Sequence, residues 1–524
     1  MLRLDTGMIR SLPLEISNPD HFTVTLELVP GREAFGRTVD TVMSIARDAF
    51  SDGRVSAVSI TDNPGGNPSL SPDVLGYNIF EIGMDVIVHF TCRDSNRVGM
   101  ESRALQLAMM GMKNILALNG DYSGKGFGGQ GAPVFDLDSV QLQMLLGLLS
   151  ERINAAGDPD GFFTGCAVSP FKSKEGECYA QYAKLWRKAA SGAQFVITQL
   201  GYDARKFREL IQVEKAMGLN LPTLGSVYVL TPKVARIINS GNVPGAVVTD
   251  PLLKRIEKEW QDKAEGRRAS IERAARLAAV LKGLGYAGIH IGGIHRRYDM
   301  VGRILDRFAE IEGQWRDFLP DFDFPQPGGF YACAPKSEDS NGACRFGKKP
   351  PDIGRLERLR YWLLRKTHDM FFNSEHPLAP TYRRMFEPVD RTAAGEFVMS
   401  LLEDIPKRIM LGCRRCGDCA IQHVGFLCPE SQCAKHCRNG ACGGSRDGRC
   451  EVYPERPCVW DRAYNRMAGD NTSRELMEGC VPPRMWELNK TSSWLNFYMQ
   501  RDHQGPDNEL AQRCRASGSC LLRP

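Results

Sequence analysis

The chain has 524 residues, more than one compact core holds, so its length predicts two or three domains. Its net charge of +5 comes without a dense basic block, which argues against a nucleic-acid-binding protein. The first residues lack the apolar core of a signal peptide, and no stretch of eighteen uncharged apolar residues indicates a membrane span. We therefore expect a cytoplasmic protein.

Eight short apolar runs in the first 310 residues predict strands that are buried on both faces. They lie at 22–29, 57–60, 85–91, 114–118, 163–168, 195–200, 223–230 and 288–292. Amphipathic stretches that predict helices lie at 37–50, 96–112, 137–153, 175–190, 203–217, 231–240, 252–283 (read as two helices) and 296–311. Eight strands alternating with helices predict a (β/α)8 TIM barrel over residues 1–311, and a doubly wound open sheet is the main alternative.

The rest of the chain has a different character. Clusters of glycine and proline at 312–350 predict a linker or a surface-packed loop. Residues 351–524 predict a C-terminal domain with helices at 353–372, 392–409 and near 484–500, and with a polar end that is partly disordered. A cysteine-rich segment at 411–460 lies inside this domain.

Polar residues stand at the ends of most predicted strands. In a barrel the strand ends converge on one face, where active sites are built. We therefore expect one site formed from these residues, which are Glu27, Thr61, Asp62, Asn63, His89, Asn119, Asp121, Ser169, Gln199, Tyr228 and His290.

Two carboxylates in this set have functional and structural interpretations. Glu27 lies in the apolar strand VTLELVPG, where burial would raise its pKa and let it act as a general acid. Its structural alternative is an ion pair with a base inside the barrel. Asp121 ends the run LALNGD and could accept hydrogen bonds from a nitrogen-rich ring. Its structural alternative is a cap for the loop that follows.

Five motifs occur in order along the predicted strands: VTLELVPG, VSITDN, VHFTCRDSNR, ILALNGD and FVITQLGYD. Together they resemble the methylenetetrahydrofolate reductase family over roughly residues 20–310. The resemblance implies a flavin-dependent barrel that interconverts 5,10-methylenetetrahydrofolate and 5-methyltetrahydrofolate in one-carbon metabolism. It implies that Glu27 is the general acid that opens the folate ring, that Asp121 is the carboxylate near pterin and flavin, and that Gln199 binds the pterin.

The same resemblance implies a flavin site. Thr61, His89 and Asp121 fall in flavin-contacting motifs, and Lys188 falls in another, LWRKAASGA. Asn119 occupies a cofactor-binding position but departs from the family, because many relatives have arginine there, in LRGD. That arginine helps to hold flavin phosphate or ribityl groups, so the choice between FAD and FMN stays open.

Nine cysteines within 46 residues form a second group of candidate functional residues. Because the chain has no secretory signal, this group favours metal ligation over disulfides. A C-x2-C-x2-C triplet opens ferredoxin-type [4Fe–4S] sites, although the usual C-x3-C-P does not follow directly. Zinc sites also use C-x2-C pairs. Two clusters, one cluster plus a zinc ion, and a purely structural zinc module all stay open. The predicted metal ligands are Cys413, Cys416, Cys419, Cys428, Cys433, Cys437, Cys442, Cys450 and Cys458.

The cysteine pattern resembles the C-terminal domain of some methylenetetrahydrofolate reductases and the small partner subunit of the reductase in acetogens. The resemblance implies a module that relays electrons to or from the flavin, in either reaction direction. It implies tetrahydrofolate as substrate, an oligomer, and NAD(P)H, ferredoxin or another electron-transfer protein as partner. The alternative is a folate-binding or docking scaffold with a structural zinc module.

Overall fold

The computed structural model describes residues 11–333, 344–346, 353–470 and 472–513. Eight parallel strands form a closed barrel in which each strand pairs with its neighbours along the chain and the last pairs back to the first. The predicted (β/α)8 barrel is therefore confirmed, and the open sheet is excluded. The strands are β1 Thr23–Leu28, β2 Ala57–Ile60, β3 Val86–Thr91, β4 Asn114–Leu118, β5 Phe163–Val168, β6 Phe195–Thr198, β7 Thr223–Tyr228 and β8 Gly288–Gly292.

Helices surround the barrel and include every one predicted before residue 312. The 252–283 stretch is two helices, as expected, because the Asp262 side chain accepts hydrogen bonds at the start of the second. The helices are α1 Leu12–Ser17, α2 Arg37–Asp52, α3 Pro72–Phe80, α4 Arg97–Met109, α5 Ser139–Ala155, α6 Glu175–Ala190, α7 Ala204–Ala216, α8 Pro232–Asn239, α9 Asp250–Glu259, α10 Lys263–Leu284 and α11 Asp299–Ile311. Sequence patterns missed α3, a short helix that contains Pro72 and Gly76 and so resembles a turn.

The first part of the predicted linker is ordered, because Glu312–Phe322 forms a 3-10 segment that packs on α10. Cys333 and Cys344 form a disulfide within the 312–350 segment. The polar end predicted to be disordered lies outside the described residues from 514 onward. The domain boundaries stay a prediction.

The C-terminal region is helical around an irregular cysteine-rich segment. Its helices are α12 Arg355–Phe371, α13 Ala379–Asp390, α14 Ala393–Leu411, α15 Pro429–Gln432, α16 Val459–Ala468 and α17 Ser493–Tyr498. The helix predicted near 484–500 is present but shorter, as α17. A 3-10 turn at Trp486–Leu488 precedes α17, and Lys490 between them adopts a left-handed φ of 70°, which ends helical structure. None of the helices in the described ranges is long and apolar enough to cross a membrane.

The cysteine-rich segment packs against the barrel mouth. Asp138 caps the N-terminus of α5, and its second carboxylate oxygen accepts hydrogen bonds from the backbone N–H groups of Arg438 and Asn439. Lys172 donates from Nζ to the carbonyl oxygens of Gly443 and Ser445. Residues 435–451 thereby form one wall of the space above the strands.

Candidate active site

One cavity of about 330 Å³ opens at the C-terminal ends of the strands. Ten of the eleven strand-end residues expected to form one site line it, and Asn63 does not. The seven barrel residues to which the family resemblance gives a role all line it, although they come from widely separated parts of the sequence. The cysteine-rich segment supplies a further wall. The predicted lining residues are Glu27, Thr61, His89, Asn119, Asp121, Lys188 and Gln199, and those from the cysteine-rich segment are Lys435, Ala441, Cys442, Gly443, Gly444 and Glu451.

Glu27 is placed as a carboxylic acid that holds its proton near neutrality. Burial raises the pKa of Glu27 to about 7. His290, whose Nε2 lies 4.0 Å from a Glu27 carboxylate oxygen, has its pKa lowered to about 3, first by burial and then by the nearby His89. Because His290 is uncharged at neutral pH, it does not form the ion pair that was the structural alternative for Glu27.

Two buried polar atoms at the cavity have no hydrogen-bond partner among the described residues. They are Nε2 of His89 and Oγ1 of Thr61, and both side chains are 7% exposed. Burial lowers the pKa of His89 to about 4, so the ring is neutral. Buried polar atoms are rarely left unpaired, so these two atoms are available to a polar ligand in the cavity.

The Asn119–Gly120–Asp121 turn places a carboxylate at the cavity. Gly120 has φ 82°, and a Cβ atom there would lie 2.9 Å from Cβ of Thr91, so both the backbone conformation and the space require glycine. Asp121 accepts a hydrogen bond from the backbone N–H of Gly65 at 2.9 Å. One of its oxygens thus fixes the 63–66 turn, as a loop cap would, while the side chain still lines the cavity.

Asn119 joins the barrel to the cysteine-rich segment. Its Oδ1 accepts hydrogen bonds from Nζ of Lys184 at 2.7 Å and from Oγ of Ser139 at 2.8 Å. Its Nδ2 lies 3.3 Å from the sulfur of Cys437. Oδ1 and one N–H of Asn119 therefore contact protein groups, and the second N–H of its amide stays available to a ligand in the cavity.

Lys188 and Gln199 complete the predicted set. Nζ of Lys188 donates to the carbonyl oxygen of Ala167, and burial lowers the pKa of this amine to about 8. The Gln199 amide accepts from the backbone N–H of Leu200 and lies 3.4 Å from the carbonyl oxygen of Pro244. Neither contact exhausts the donors of the two side chains.

Lys435 and Glu451 are site residues that the sequence patterns missed. They form a buried ion pair at 2.5 Å, and Lys435 also donates to the carbonyl oxygen of Gly120 at 2.7 Å. Burial acts to lower the pKa of Lys435, but the carboxylate of Glu451 outweighs it and keeps the amine charged. A lone lysine among cysteines follows no periodic pattern, so sequence offered no signal for it.

A second cavity is lined by four of the nine predicted metal ligands, Cys413, Cys416, Cys419 and Cys428. We call it the four-cysteine cavity. Nζ of Lys407 lies 3.7 Å from the sulfur of Cys419, and the backbone N–H of Arg415 donates to the sulfur of Cys413 at 3.4 Å. Burial nevertheless raises the pKa of the Cys413, Cys416 and Cys428 thiols, which favours the protonated form of these three side chains.

The other predicted ligands are spread between this cavity and the barrel. The Cys437 thiol donates a hydrogen bond to Cys433, and this bond and burial raise the pKa of Cys437. Cys442 lies close enough to Cys437, and Cys458 to Cys442, for their charges to interact. Cys442 also lines the barrel cavity. Cys450 stands apart, at a neighbouring cavity.

No three cysteine sulfurs in the described ranges lie within 4.8 Å of one another. Zinc–sulfur bonds of about 2.3 Å hold tetrahedral ligands about 3.8 Å apart. In the described ranges, the one set of three ligand atoms within 4.8 Å of one another belongs to Asp418, Asp502 and His503, not to cysteines. Asp418 already pairs with Arg438 and with His503, so that set is a buried ion-pair network.

Comparison with known proteins identifies the family to which the barrel sequence is related. Residues 14–308, more than half of the chain, match the family model described as Methylenetetrahydrofolate reductase. The chain belongs to the methylenetetrahydrofolate reductase family. Residues 393–487 match a second model, described as Methylene-tetrahydrofolate reductase C terminal. The resemblance of the barrel motifs is thereby confirmed.

Individual relatives are distant. The chain is 28% identical over 161 residues to a Caenorhabditis elegans protein named "Probable methylenetetrahydrofolate reductase (NADPH)", a match covering 30% of this chain and 22% of that protein. It is 25% identical over 173 residues to "Methylenetetrahydrofolate reductase 1" of Schizosaccharomyces pombe, covering 32% and 27%. The matched part thus spans about a quarter of these relatives.

Among solved structures, a Clostridium thermocellum protein described as uncharacterized and binding two copies of 5-methyl-5,6,7,8-tetrahydrofolic acid has a TM-score of 0.39 and 11% identity. That match covers 58% of this chain and 100% of the Clostridium chain. At this level of similarity the match carries no argument about the site.

Proposed function

We propose that this protein is a flavin-dependent enzyme that interconverts 5,10-methylenetetrahydrofolate and 5-methyltetrahydrofolate. Membership of the family supports the reaction class. The observation that carries the proposal is Glu27, a carboxylic acid with a pKa of about 7 beside a neutral His290 in the barrel cavity. General acids work best when their pKa lies near the working pH.

The residues around the cavity fit a flavin. The unpartnered Nε2 of His89 and Oγ1 of Thr61 would receive polar atoms of its ring system or ribityl chain. Asp121, Asn119 and Lys188 would complete its binding site. When bound, a flavin supplies or accepts the hydride that distinguishes the methylene from the methyl form. FAD and FMN stay equal candidates.

The protein's own contribution is proton transfer and orientation. The carboxyl oxygen of Glu27 donates a proton to a nitrogen of the folate ring, which opens the ring and creates a cation. The carboxylate of Asp121 stabilises that positive charge, and the free donors of Gln199 hold the pterin. The cysteine-rich segment covers the cavity and limits the access of water.

We further propose that the cysteine-rich segment relays electrons between the solvent-facing side of the protein and the barrel cavity. The four-cysteine cavity offers the four-thiolate donor set of one [4Fe–4S] cluster. Cys442 lines the barrel cavity and Cys437 contacts Asn119 beside it, and together with Cys433 and Cys458 they offer ligands for a second metal centre. Such clusters exchange single electrons.

An anaerobic titration tests this function. The protein is purified without oxygen, its flavin, iron, zinc and acid-labile sulfide are measured, and 5-methyltetrahydrofolate is added. We expect the flavin absorbance to bleach with 5-methyltetrahydrofolate but not with tetrahydrofolate, which lacks the methyl group. A folded protein without flavin, or a flavin that dithionite bleaches but 5-methyltetrahydrofolate does not, would contradict the proposal. Zinc without iron would contradict the relay alone.

A further inference from the structure

Helix α14 carries an apolar stripe that faces away from the protein. Phe397, Leu401, Ile405 and Ile409 follow one another at intervals of four residues, so they share one face of the helix. Their exposed fractions lie between 52% and 80%. The opposite face carries the buried residues Met399, Glu403, Lys407 and Leu411. Contiguous exposed apolar surface of this kind marks an interaction site in most proteins.

An apolar groove of about 400 Å³ continues this stripe toward α12. Leu363 and Leu364 of α12 form one wall, and Pro406 and Met410 of α14 form the other. Further exposed apolar side chains on α12, among them Leu359 and Trp362, extend the surface. We call the exposed faces of α12 and α14 with the groove between them the α12–α14 surface.

The edge of the α12–α14 surface is basic. Five lysine and arginine side chains of α12 and α14 are exposed, against one acidic side chain, Asp369. The five are Arg355, Arg358, Arg360, Lys366 and Arg408. A twofold contact between two copies of this chain would bring these like charges together, so charge disfavours a second copy and favours an acidic partner.

The surface lies next to the four-cysteine cavity. Lys407 projects from the buried face of α14, and its Nζ lies 3.7 Å from the sulfur of Cys419. Cys419 also lines the apolar groove, so the groove and the four-cysteine cavity share a wall. A protein seated on α14 would be separated from that cavity by about the 10–12 Å diameter of one helix.

We propose that the α12–α14 surface docks an acidic one-electron carrier protein of the ferredoxin type, which exchanges electrons with the metal centre of the four-cysteine cavity. The inference rests on the proposed relay. Reduction of one methylene group to a methyl group takes two electrons and two protons. Two reduced carriers are therefore oxidised in succession for each methylene group, and the reverse reaction reduces two oxidised carriers.

The test measures binding and electron transfer separately, with a small acidic bacterial [4Fe–4S] ferredoxin as the probe. The variant Ile405→Asp/Ile409→Asp places charge in the stripe at exposed positions, so its folding is preserved. Val98→Asp, on α4 of the barrel and 69% exposed, is the matched control. We expect ferredoxin to bind the intact protein in biolayer interferometry, more weakly at high salt, and at least about tenfold more weakly to the double variant. The Val98→Asp protein should bind like the unchanged protein.

Electron transfer distinguishes failure of the surface from failure of the relay. Dithionite, a small reductant that needs no docking, should bleach the metal centres and the flavin equally in all three proteins, whereas reduced ferredoxin should act slowly on the double variant alone. Unaltered ferredoxin binding by the double variant, or no binding by the unchanged protein, would overturn the docking proposal. An unchanged protein that sediments as a dimer and a double variant that sediments as a monomer would also overturn it. Absence of dithionite-bleachable iron–sulfur absorbance would overturn the relay.

Discussion

The barrel cavity and the four-cysteine cavity collect their residues in opposite ways. Residues of the barrel cavity come from strand ends spread between Glu27 and Gly292, and regular parallel pairing brings them together. The four cysteines come from one short segment, 413–428, whose irregular backbone includes left-handed residues at Arg415 and Phe426. The first site is a consequence of the fold, whereas the second depends on a local chain path. Their chemistry differs accordingly. The barrel cavity has different polar side chains, each from a different part of the chain, whereas the four-cysteine cavity has four side chains of one type.

The largest expected effect is on catalysis in the barrel cavity, and it tests the role of Glu27 as the proton donor. Glu27→Gln keeps the shape of the side chain but removes its transferable proton. We expect kcat for methylene reduction to fall about a thousandfold, because general acids contribute about 10² to 10⁴. The flavin content should be unchanged. Glu33→Gln, an exposed glutamate just after β1, is the matched control for steady-state kinetics and should lose nothing.

The next effect tests the contact between the two regions. Lys435→Met breaks the buried pair with Glu451 and leaves an unpaired carboxylate, so the free energy of unfolding should fall by about 3 kcal/mol. Chemical denaturation measures it. The double variant Lys435→Met/Glu451→Gln should recover much of the loss. Equal stability of the unchanged and single-variant proteins would mean that the pair is exposed to water in solution.

Asp121→Asn tests whether the carboxylate charge matters beyond its bond to Gly65. Asparagine can still accept that hydrogen bond through Oδ1, so the turn should keep its conformation. We expect about a hundredfold loss of kcat, equal to about 2.7 kcal/mol, from weaker stabilisation of the cationic folate. A loss of flavin binding with unchanged kcat in the loaded fraction would assign Asp121 a structural role instead.

The smallest effect concerns the pH dependence of stability. The folded protein holds the Glu27 proton more tightly than the unfolded chain between pH 4.5 and about 7, so Glu27 makes stability fall as pH rises through that window. A rise in pKa from 4.5 to about 7 corresponds to about 3 kcal/mol, and solvent screening of the Glu27 side chain, which is 24% exposed, reduces the destabilisation by the ionised carboxylate to about 2 kcal/mol. Glu27→Gln should therefore be more stable than the unchanged protein at pH 8 and equally stable at pH 4, as thermal unfolding can measure. A deficit at pH 8 would contradict the raised pKa.

Sequence patterns located much more of the barrel than of the C-terminal region. All eight strands and six of the seven barrel site residues follow from apolar runs and the polar residues that end them, because parallel strands allow few other arrangements. The seventh, Lys188, lies on α6 and was indicated only by the family resemblance. Helix α3 was missed because proline and glycine hide its periodicity. In the cysteine-rich segment, the cysteines themselves indicated candidate metal ligands, but the sequence did not show which of them lie together. Irregular turns determine which sulfur atoms are close in space, and such turns have no repeating sequence pattern. The same irregular backbone places Lys435 at the barrel cavity, so the sequence did not indicate it either.

One measurement tests the central claim that the two cavities belong to one electron path. The intact protein is fully reduced with dithionite, freed of excess reductant, and mixed anaerobically with 5,10-methylenetetrahydrofolate. The yield of 5-methyltetrahydrofolate per bound flavin is then counted. We expect a yield of two from protein that contains two reduced one-electron centres, because the two electrons that they store reduce a second methylene group. The Cys413→Ala/Cys416→Ala protein lacks the centre of the four-cysteine cavity and therefore one of these electrons, so it should give a yield of one. A yield of one from intact protein that contains two reduced iron–sulfur centres would contradict the account.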